Sequence, residues 1–360
     1  MKQKEVSFIN YMKFFGIIDL LIWHTGIHKI NIFVIQFFLQ MFIFTSGYFY
    51  KDEYSNKPFT FIKKRISSLY LPYIFYCSAF LAFNNAFVAL AIYKKDMLVD
   101  ADNIIRYFLR IFLFDNNQQL TGAMWFVPTL FIVSILFLFI CKVSEMMAQT
   151  SGYFKEREHT RFFLIASLYL LGNYLAFHKY QLPVLLDISF VLLIFYYGGY
   201  LFRKHEQKIP LNIFLALPIL LALLLGMNYG FPHIIQREYV NPSSLLLYGM
   251  AGIYLNLFIA HKCPTSFKVM RLINFAGRNT MEILAFHFLS FKTVTLFIIY
   301  SQNLPLNLLS SFPVIQESSQ YYRWLYVLSG LVVPLCGVYC FNTVREKLKP
   351  LILGRTEQIN

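Results

Sequence analysis

The stretch Lys13-Phe-Phe-Gly-Ile-Ile-Asp-Leu-Leu-Ile-Trp-His24 decides the fold, because it is apolar enough to cross a lipid bilayer and yet contains ionisable side chains. Titratable groups in such a segment are costly, so their presence indicates function. On a helix, the step from Lys13 to His24 is about three turns, which brings both side chains within about 20° of one face and about 16 Å apart. The first helix is therefore predicted to carry two reactive groups at different depths.

The composition is typical of a polytopic membrane protein. Of the 360 residues, 58% are hydrophobic and only 14% are charged, which is far from an ordinary soluble domain. We predict an all-α integral membrane protein with about ten transmembrane helices in a single domain, residues 1–360. The ten apolar segments, each near the length that a hydrocarbon core requires, are 8–27, 33–50, 68–92, 124–141, 162–177, 184–202, 211–227, 243–260, 280–300 and 324–344.

Basic residues predict the orientation. Lys and Arg concentrate in the loops 51–65, 155–161, 203–208 and 262–278 and in the two tails, and such loops belong in the cytoplasm. With an even number of crossings, both termini are then cytoplasmic. The net charge of +14 reflects this asymmetry and attraction to anionic membrane lipid. No nucleic-acid module is found, so no nucleic-acid partner is expected. One further segment, 100–114, has the apolar periodicity of a helix lying at the outer interface.

Two ionisable groups of the first segment allow more than one interpretation. His24 falls in the outer half of the bilayer, where a neutral imidazole is suited to act as a general base toward a hydroxyl; the alternative is a structural histidine bonded to a neighbouring helix. Asp19 is rotated by about 140° from His24 and cannot orient it within the same helix. We expect the partner of Asp19 on another helix, since buried acids persist when they are paired.

Two clusters lie at the predicted cytoplasmic edge. Lys63, Lys64 and Arg65 precede the third segment and are suited to bind phosphate, although ordinary positive-inside charge also explains them. In the segment 277–287, Glu282 and His287 project into the membrane, which favours a functional role. The five cysteines lack the spacing of a metal site, and no metal is expected.

Five short elements follow one another along nearly the whole chain. They are Lys13-X10-His24, Phe42-Ile-Phe-Thr-Ser-Gly-Tyr48, Arg65 with Leu71-Pro72-Tyr73, Gly122-Ala-Met-Trp-Phe-Val-Pro128, and Gly277-Arg-Asn-Thr280 with His287. Together and in this order they resemble one family, the membrane-bound acyltransferase 3 proteins that O-acylate sugars of bacterial surface polysaccharides. One departure concerns the third helix, where the family carries two arginines three apart and this chain has Arg65 and Ser68; Lys63 and Lys64 are the candidates to supply the missing charge.

The resemblance implies an O-acetyltransferase of the bacterial cytoplasmic membrane that uses acetyl-CoA. The nucleotide of acyl-CoA is expected at the basic cytoplasmic edge, with the uncharged pantetheine arm threading upward. A surface polysaccharide or lipid-linked glycan is expected to approach from outside, where His24 either deprotonates its hydroxyl or carries the acyl group itself. Trp125 either stacks on a sugar ring or belongs to an interfacial aromatic belt. The candidate residues are His24, Lys13 and His287 for catalysis, Lys63, Lys64 and Arg65 for the acyl donor, and Trp125, Asp19 and Glu282 for the substrate.

Two other classes of protein compete with this interpretation. A polysaccharide or lipid-linked sugar exporter also suits ten helices with intramembrane charges, but transporters often show paired repeats and matching broken helices, and none is visible in the sequence. A polysaccharide polymerase needs a large outer loop with catalytic residues. The longest predicted outer segments, 93–123 and 301–323, lack an acid pair.

Overall fold

The computed structural model describes residues 2–356 except 117, 151–155, 231, 240, 265–267 and 317–318. All ten predicted apolar segments are helical, which confirms the all-α integral membrane fold. The predicted cytoplasmic loops 155–161 and 262–278 lie partly outside the described residues. The first helices of the chain are α1 (Lys2–Thr25), α2 (Ile30–Ile35), α3 (Phe38–Tyr48), α4 (Glu53–Asn56), α5 (Pro58–Arg65), α6 (Leu71–Ala82), α7 (Asn84–Ala89) and α8 (Ala101–Phe112).

A 3-10 helix, Gln119–Trp125, leads into the second half of the chain. Among the described residues, seven stretches are long and apolar enough to cross a membrane, and α12 is a shorter apolar helix of 14 residues. The later helices are α9 (Phe126–Thr150), α10 (Arg157–Phe177), α11 (Leu186–His205), α12 (Ile213–Gly226), α13 (Pro242–Lys262), α14 (Lys268–Arg278), α15 (Thr280–Ser301) and α16 (Gln320–Thr356). The seven stretches are Ile30–Tyr48, Gln119–Thr150, Arg157–Phe177, Pro183–Lys208, Pro242–Lys262, Thr280–Ser301 and Gln320–Leu348.

Helix α1 is the centre of the bundle and packs against α2, α3, α13, α14, α15 and α16. The Phe8 ring near the start of α1 contacts Tyr48 at the end of α3 and His261 at the end of α13, with ring centroids 5.5 and 4.6 Å apart. We call this the inner end, because the basic residues that follow α3, α11 and α13 lie there. Arg323 at the start of α16 contacts the opposite, outer end of α1. Helices α1 and α16 are therefore antiparallel, and α16 ends on the inner side.

The third apolar segment was predicted as one helix, and this is wrong. A π-helical turn, Ile66–Tyr70, precedes α6, and a break at Phe83 separates α6 from α7. Pro72 explains the first irregularity, since its ring cannot accept the regular packing of the preceding turn. At the second, the side chains of Asn84 and Asn85 bond the backbone at Met97 and Val99, which gives the chain an alternative to continuing the helix.

The predicted interfacial segment forms α8, which runs antiparallel along α6. The Tyr70 hydroxyl at the start of that helix donates to the carbonyl of Phe112 at the end of α8. At the other end, Ile104 and Ile105 share an apolar groove with Ala82. The exposed apolar face of α8 is therefore a lateral surface of the bundle, suited to lie in lipid.

Glycines bring α3 and α11 into close contact. A methyl group added at Gly47 would overlap the carbonyl oxygen of Tyr196, and one at Gly199 would overlap that of Phe44. Small residues allow such approach between helices in a membrane, where van der Waals packing drives association. This contact fixes the base of the bundle at its inner end.

An ionic cluster fastens the connection between α3 and α5 to the same end. The buried Arg161 guanidinium donates to Asp52 at 3.3 Å, to Glu158 at 3.1 Å and to the Tyr200 hydroxyl at 2.7 Å. Burial raises the pKa of Asp52, but the Tyr200 hydroxyl and the charges of Lys204 and Arg161 together hold that pKa below its usual value. The inner loop is thus held rigidly against α10 and α11.

Candidate active site

Two cavities reach α1 at different depths. The inner cavity, of about 350 Å³, is lined by Lys13 and by residues of α3, α9 and α15. The outer cavity, of about 100 Å³, is lined by His24 and by the segment before α9. Leu20 and Phe126 line both cavities. Because Leu20 lies about one helical turn before His24, the boundary between the two cavities lies beside that histidine.

The inner cavity is cationic. Lys13, Arg65 and Arg278 all line it, no Asp or Glu is among its described lining residues, and none of the three has an ion-pair partner among the described residues. Arg65 donates to the hydroxyl of Tyr196 at 2.9 Å and to the Ser46 carbonyl at 3.4 Å, while its buried Nε has no hydrogen-bond partner. A cavity of this kind is suited to an anionic group.

Of the predicted donor-binding cations, the structure brings only Arg65 to the inner cavity. Lys63 and Lys64 are exposed and do not line it. The Lys64 ammonium donates to the hydroxyl of Tyr54 at 3.2 Å. Since neighbouring residues on a helix point about 100° apart, three consecutive cations cannot all face one cavity.

The structure brings His24 and His287 together although they are far apart in the sequence. Their ring centroids are 5.2 Å apart, and His24 lies 4.7 Å from the Phe288 ring. His287 is fully buried, and its Nδ1 lies 2.9 Å from the carbonyl oxygen of Leu284 and 3.2 Å from that of Ile283. Because carbonyl oxygens only accept hydrogen bonds, this Nδ1 carries the proton.

This tautomer leaves Nε2 of His287 as a lone-pair acceptor. That atom is buried and has no hydrogen-bond partner among the described residues. Of the two histidines, only His24 lines either of the two cavities. The arrangement is one histidine open to the outer cavity and a second behind it, held in one tautomer.

Comparison with known proteins gives one match. A family model described as an acyltransferase domain matches residues 6–343, which is nearly the whole chain. The chain belongs to the acyltransferase 3 family. No curated protein and no solved structure matches it significantly. Membership of the family makes this a multi-pass membrane acyltransferase, and acyl transfer requires both an acyl donor and an acceptor.

The outer end of α1, where this acyltransferase carries His24, is held by Arg323. The guanidinium donates to the carbonyl oxygens of Thr25 at 3.0 Å and of Gly26, and also to that of Gln316 at 3.1 Å. A cation at a helix C-terminus satisfies orphan carbonyls and complements the helix dipole. Arg323 therefore fixes the last turn of α1 and with it the position of His24.

A buried cation supports the histidines from the outer side of the site. Lys292 on α15 is 3% exposed and donates to the carbonyl oxygens of Leu309 at 3.0 Å and Ser311 at 2.6 Å. The next residue of that loop, Phe312, packs on Phe288 with centroids 4.6 Å apart. Phe288 in turn contacts both histidine rings, so Lys292 anchors the loop that closes the site on its outer side.

The wall of the outer cavity is aromatic. Trp125 lines it as predicted, together with Trp23 and His233, whose rings lie 5.4 Å apart. His233 belongs to the hairpin 232–239, in which His233 and Glu238 exchange two backbone hydrogen bonds. No Asp, Glu, Lys or Arg is among the described lining residues, so this cavity suits an uncharged group that stacks on aromatic rings.

One ion pair fastens this hairpin to the helix bundle. The Arg237 guanidinium donates to both carboxylate oxygens of Asp187, at 2.5 and 3.2 Å, and the carboxylate is 1% exposed. The same carboxylate accepts from the backbone N–H of Leu182 at 3.2 Å. The pair holds the hairpin beside His24.

Two predicted substrate-binding residues lie outside both cavities. Glu282 is half-buried on α15, and a substrate role for it stays a prediction. Asp19 has no hydrogen bond or ion pair with any described residue, so the expected partner on another helix is wrong for the part of the chain that the structure describes.

The sequence analysis missed Arg278, Trp23, His233 and Arg323. Arg278 lies in the segment 277–287, but the sequence analysis gave it no role, because no local sequence pattern shows that the end of α14 packs on α1. His233 and Arg323 lie at loops whose partners are distant in sequence. Of these four residues, only Trp23 had a signal in the sequence, namely its position next to His24.

Proposed function

We propose that this protein is an O-acetyltransferase that moves an acetyl group from cytoplasmic acetyl-CoA to a hydroxyl of a cell-surface polysaccharide or lipid-linked sugar, in the bacterial cytoplasmic membrane. The observation that carries the proposal is the meeting of the two cavities at His24. An inner cationic cavity and an outer aromatic one, separated by Leu20 and Phe126, suit a reaction whose two substrates arrive from opposite sides.

The donor side supports an acyl-CoA. Its phosphates cannot enter hydrocarbon, and the cations of the inner cavity lie on the cytoplasmic side of the predicted topology. Lys13 is about 16 Å from His24 along α1, a gap that the uncharged pantetheine arm crosses.

The acceptor side supports a neutral sugar. Trp23 and Trp125 offer apolar ring faces on which a pyranose stacks, and the imidazole of His233 adds a polar group. Lys13 lies on the far side of Leu20 and steers the donor rather than the sugar.

The chemistry needs one base. In the proposed step His24 takes the proton of the acceptor hydroxyl as that oxygen attacks the thioester carbonyl carbon. The carbon–sulfur bond then breaks, and the CoA thiolate leaves with the proton that His24 returns. In the proposed step His287 acts behind His24: its Nε2, which has no hydrogen-bond partner among the described residues, is available to accept the N–H of His24 as the reaction begins, which leaves the other nitrogen of His24 facing the hydroxyl.

Radiolabel transfer from acetyl-CoA to surface polysaccharide tests this function. Membranes with wild-type protein are expected to transfer label, and His24→Ala at equal expression is expected to lose about 10²-fold or more of the rate. His28→Ala is the matched control, since His28 is exposed and lines neither cavity. Full activity of His24→Ala refutes the base assignment. Absence of label with wild type, with polymer lost from the surface on deletion, favours the exporter.

A further inference from the structure

The inner cavity contains a cation that the family resemblance does not assign. Arg278 ends α14, just before Thr280 begins α15, and it lines the same cavity as Arg65. Its side chain is exposed rather than sealed in the protein. Thr280 and Met281 line the same wall, so the N-terminal turn of a 22-residue helix, with its free N–H groups, also faces the cavity.

The backbone at Arg278 is fixed against α1. A methyl group added at the preceding Gly277 would overlap the Asn10 carbonyl oxygen. One turn earlier, Asn274 accepts a hydrogen bond of 2.6 Å from the Asn10 side chain. Lys13 lies three residues further along α1, on the same stretch of helix. Two cations from different helices are therefore held at one cavity by direct packing of those helices.

A second observation concerns Ser68, which lines the inner cavity. The family resemblance implies an arginine at this position, three residues after Arg65. A positive charge expected at this cavity is therefore absent from Ser68, and Arg278 lines the same cavity. Lys63 and Lys64, which were expected to replace the charge, point elsewhere.

We propose that Arg278, with Lys13 and Arg65, binds the phosphate groups of the acyl donor and supplies the positive charge that Ser68 does not. The inference rests on the proposed function. It names the anionic end of an acyl-CoA as the ligand of this cavity. From Thr280 to His287 α15 rises about 10 Å, so phosphates bound here leave the thioester to reach the histidines through the uncharged arm.

A comparison of two acyl donors distinguishes the recognition of phosphate groups from the other effects of a substitution. Acetyl-CoA carries the phosphates, and acetyl-pantetheine lacks all of them. For Arg278→Gln we expect the KM for acetyl-CoA to rise about ten- to a hundredfold with kcat unchanged, and the KM for acetyl-pantetheine to stay at the wild-type value. Arg278→Lys is expected to restore part of the loss, because it keeps the charge without the planar fork.

Arg271→Gln is the matched control, since Arg271 is an exposed arginine of the same helix that lines neither cavity. Direct binding of CoA to the purified protein in detergent gives a second readout, independent of turnover, and the same rise in Kd is expected for Arg278→Gln alone. A higher salt concentration should reduce the difference in the Kd for CoA between the wild type and Arg278→Gln.

Three results overturn the inference. One is an unchanged KM and Kd for Arg278→Gln; another is an equal rise for both donors, which would make Arg278 a structural residue. The third is a loss that follows Lys63→Gln or Lys64→Gln instead. If the wild-type protein uses both donors and Arg278→Gln has the wild-type KM and Kd, this inference is refuted and the proposed function stands. A wild-type protein that uses neither donor refutes the proposed function and this inference with it.

Discussion

The histidine pair offers the sharpest prediction. His287 lies in an aromatic shell, 4.0 Å from the Phe288 centroid and 5.6 Å from that of Phe291. His287→Phe therefore conserves an aromatic ring at the site while removing the Nε2 acceptor. The carbonyl oxygens of Ile283 and Leu284 lose no essential partner, because both belong to the helical hydrogen-bond ladder of α15.

The magnitude follows from what is left behind. In the proposed reaction the N–H of His24 donates to this Nε2 once the substrates enclose the site; without Nε2 that donor has no acceptor, which costs about 1–3 kcal/mol. If that cost falls on the transition state, the rate of transfer drops about 5- to 150-fold. His287→Gln carries an amide oxygen on a chain of similar reach and should recover part of the loss. The expected order of rates is wild type, His287→Gln, His287→Phe, then His24→Ala.

The assay is single-turnover transfer of labelled acetyl groups in membranes with equal amounts of each folded variant. Thermal stability of the purified proteins separates misfolding from loss of chemistry. The reasoning is refuted if His287→Phe transfers at the wild-type rate. It is also refuted if folded His287→Phe and His287→Gln are both as inactive as His24→Ala, since His287 would then be the base itself.

Two further predictions concern packing and the outer hairpin. Gly47→Ala should lower the melting temperature sharply or prevent assembly, because its methyl group overlaps the Tyr196 carbonyl oxygen. The control Gly337→Ala, whose methyl group meets no neighbour, should leave the melting temperature unchanged or raise it slightly. Equal melting temperatures for the two variants would contradict the close contact of α3 and α11. Asp187→Asn breaks a buried ion pair, a change that costs about 3–5 kcal/mol, and should free the hairpin so that water reaches the thioester. The ratio of acetyl-CoA hydrolysis to sugar acetylation should then rise. An unchanged ratio in a folded variant would show that the hairpin does not keep water out.

Much of the fold was predictable because hydrophobic segments of sufficient length report directly on helices. All ten segments are confirmed as helical and in the predicted order, although the second and the third are each broken into shorter helices, and the extra helix at 101–112 was also expected. The break between α6 and α7 was not predictable, because neither Gly nor Pro lies there. It depends on Asn84 and Asn85 bonding a loop more than ten residues away, and such a contact leaves no local pattern.

The site was predictable where one helix defines it. The eleven-residue step between Lys13 and His24 indicated one face at two depths, and the structure has these two residues lining the inner and the outer cavity. Which other helices complete those cavities depends on tertiary packing. Local sequence therefore suggested Lys63 and Lys64, which are adjacent to Arg65, whereas Arg278 comes from a segment more than 200 residues away. The catalytic and binding roles of all these residues stay predictions.

The wall formed by Leu20 and Phe126 has a consequence for the membrane as an insulator. A protein with solvent-accessible cavities on both sides risks a continuous file of water, along which protons would leak and discharge the proton gradient. Both side chains are buried and apolar, so a water file is interrupted where the cavities meet. Acyl transfer brings the carbonyl carbon and the hydroxyl oxygen to about 3–3.5 Å. In the proposed reaction these two side chains must therefore part to let the thioester reach the hydroxyl, and they must close again to keep the bilayer electrically tight.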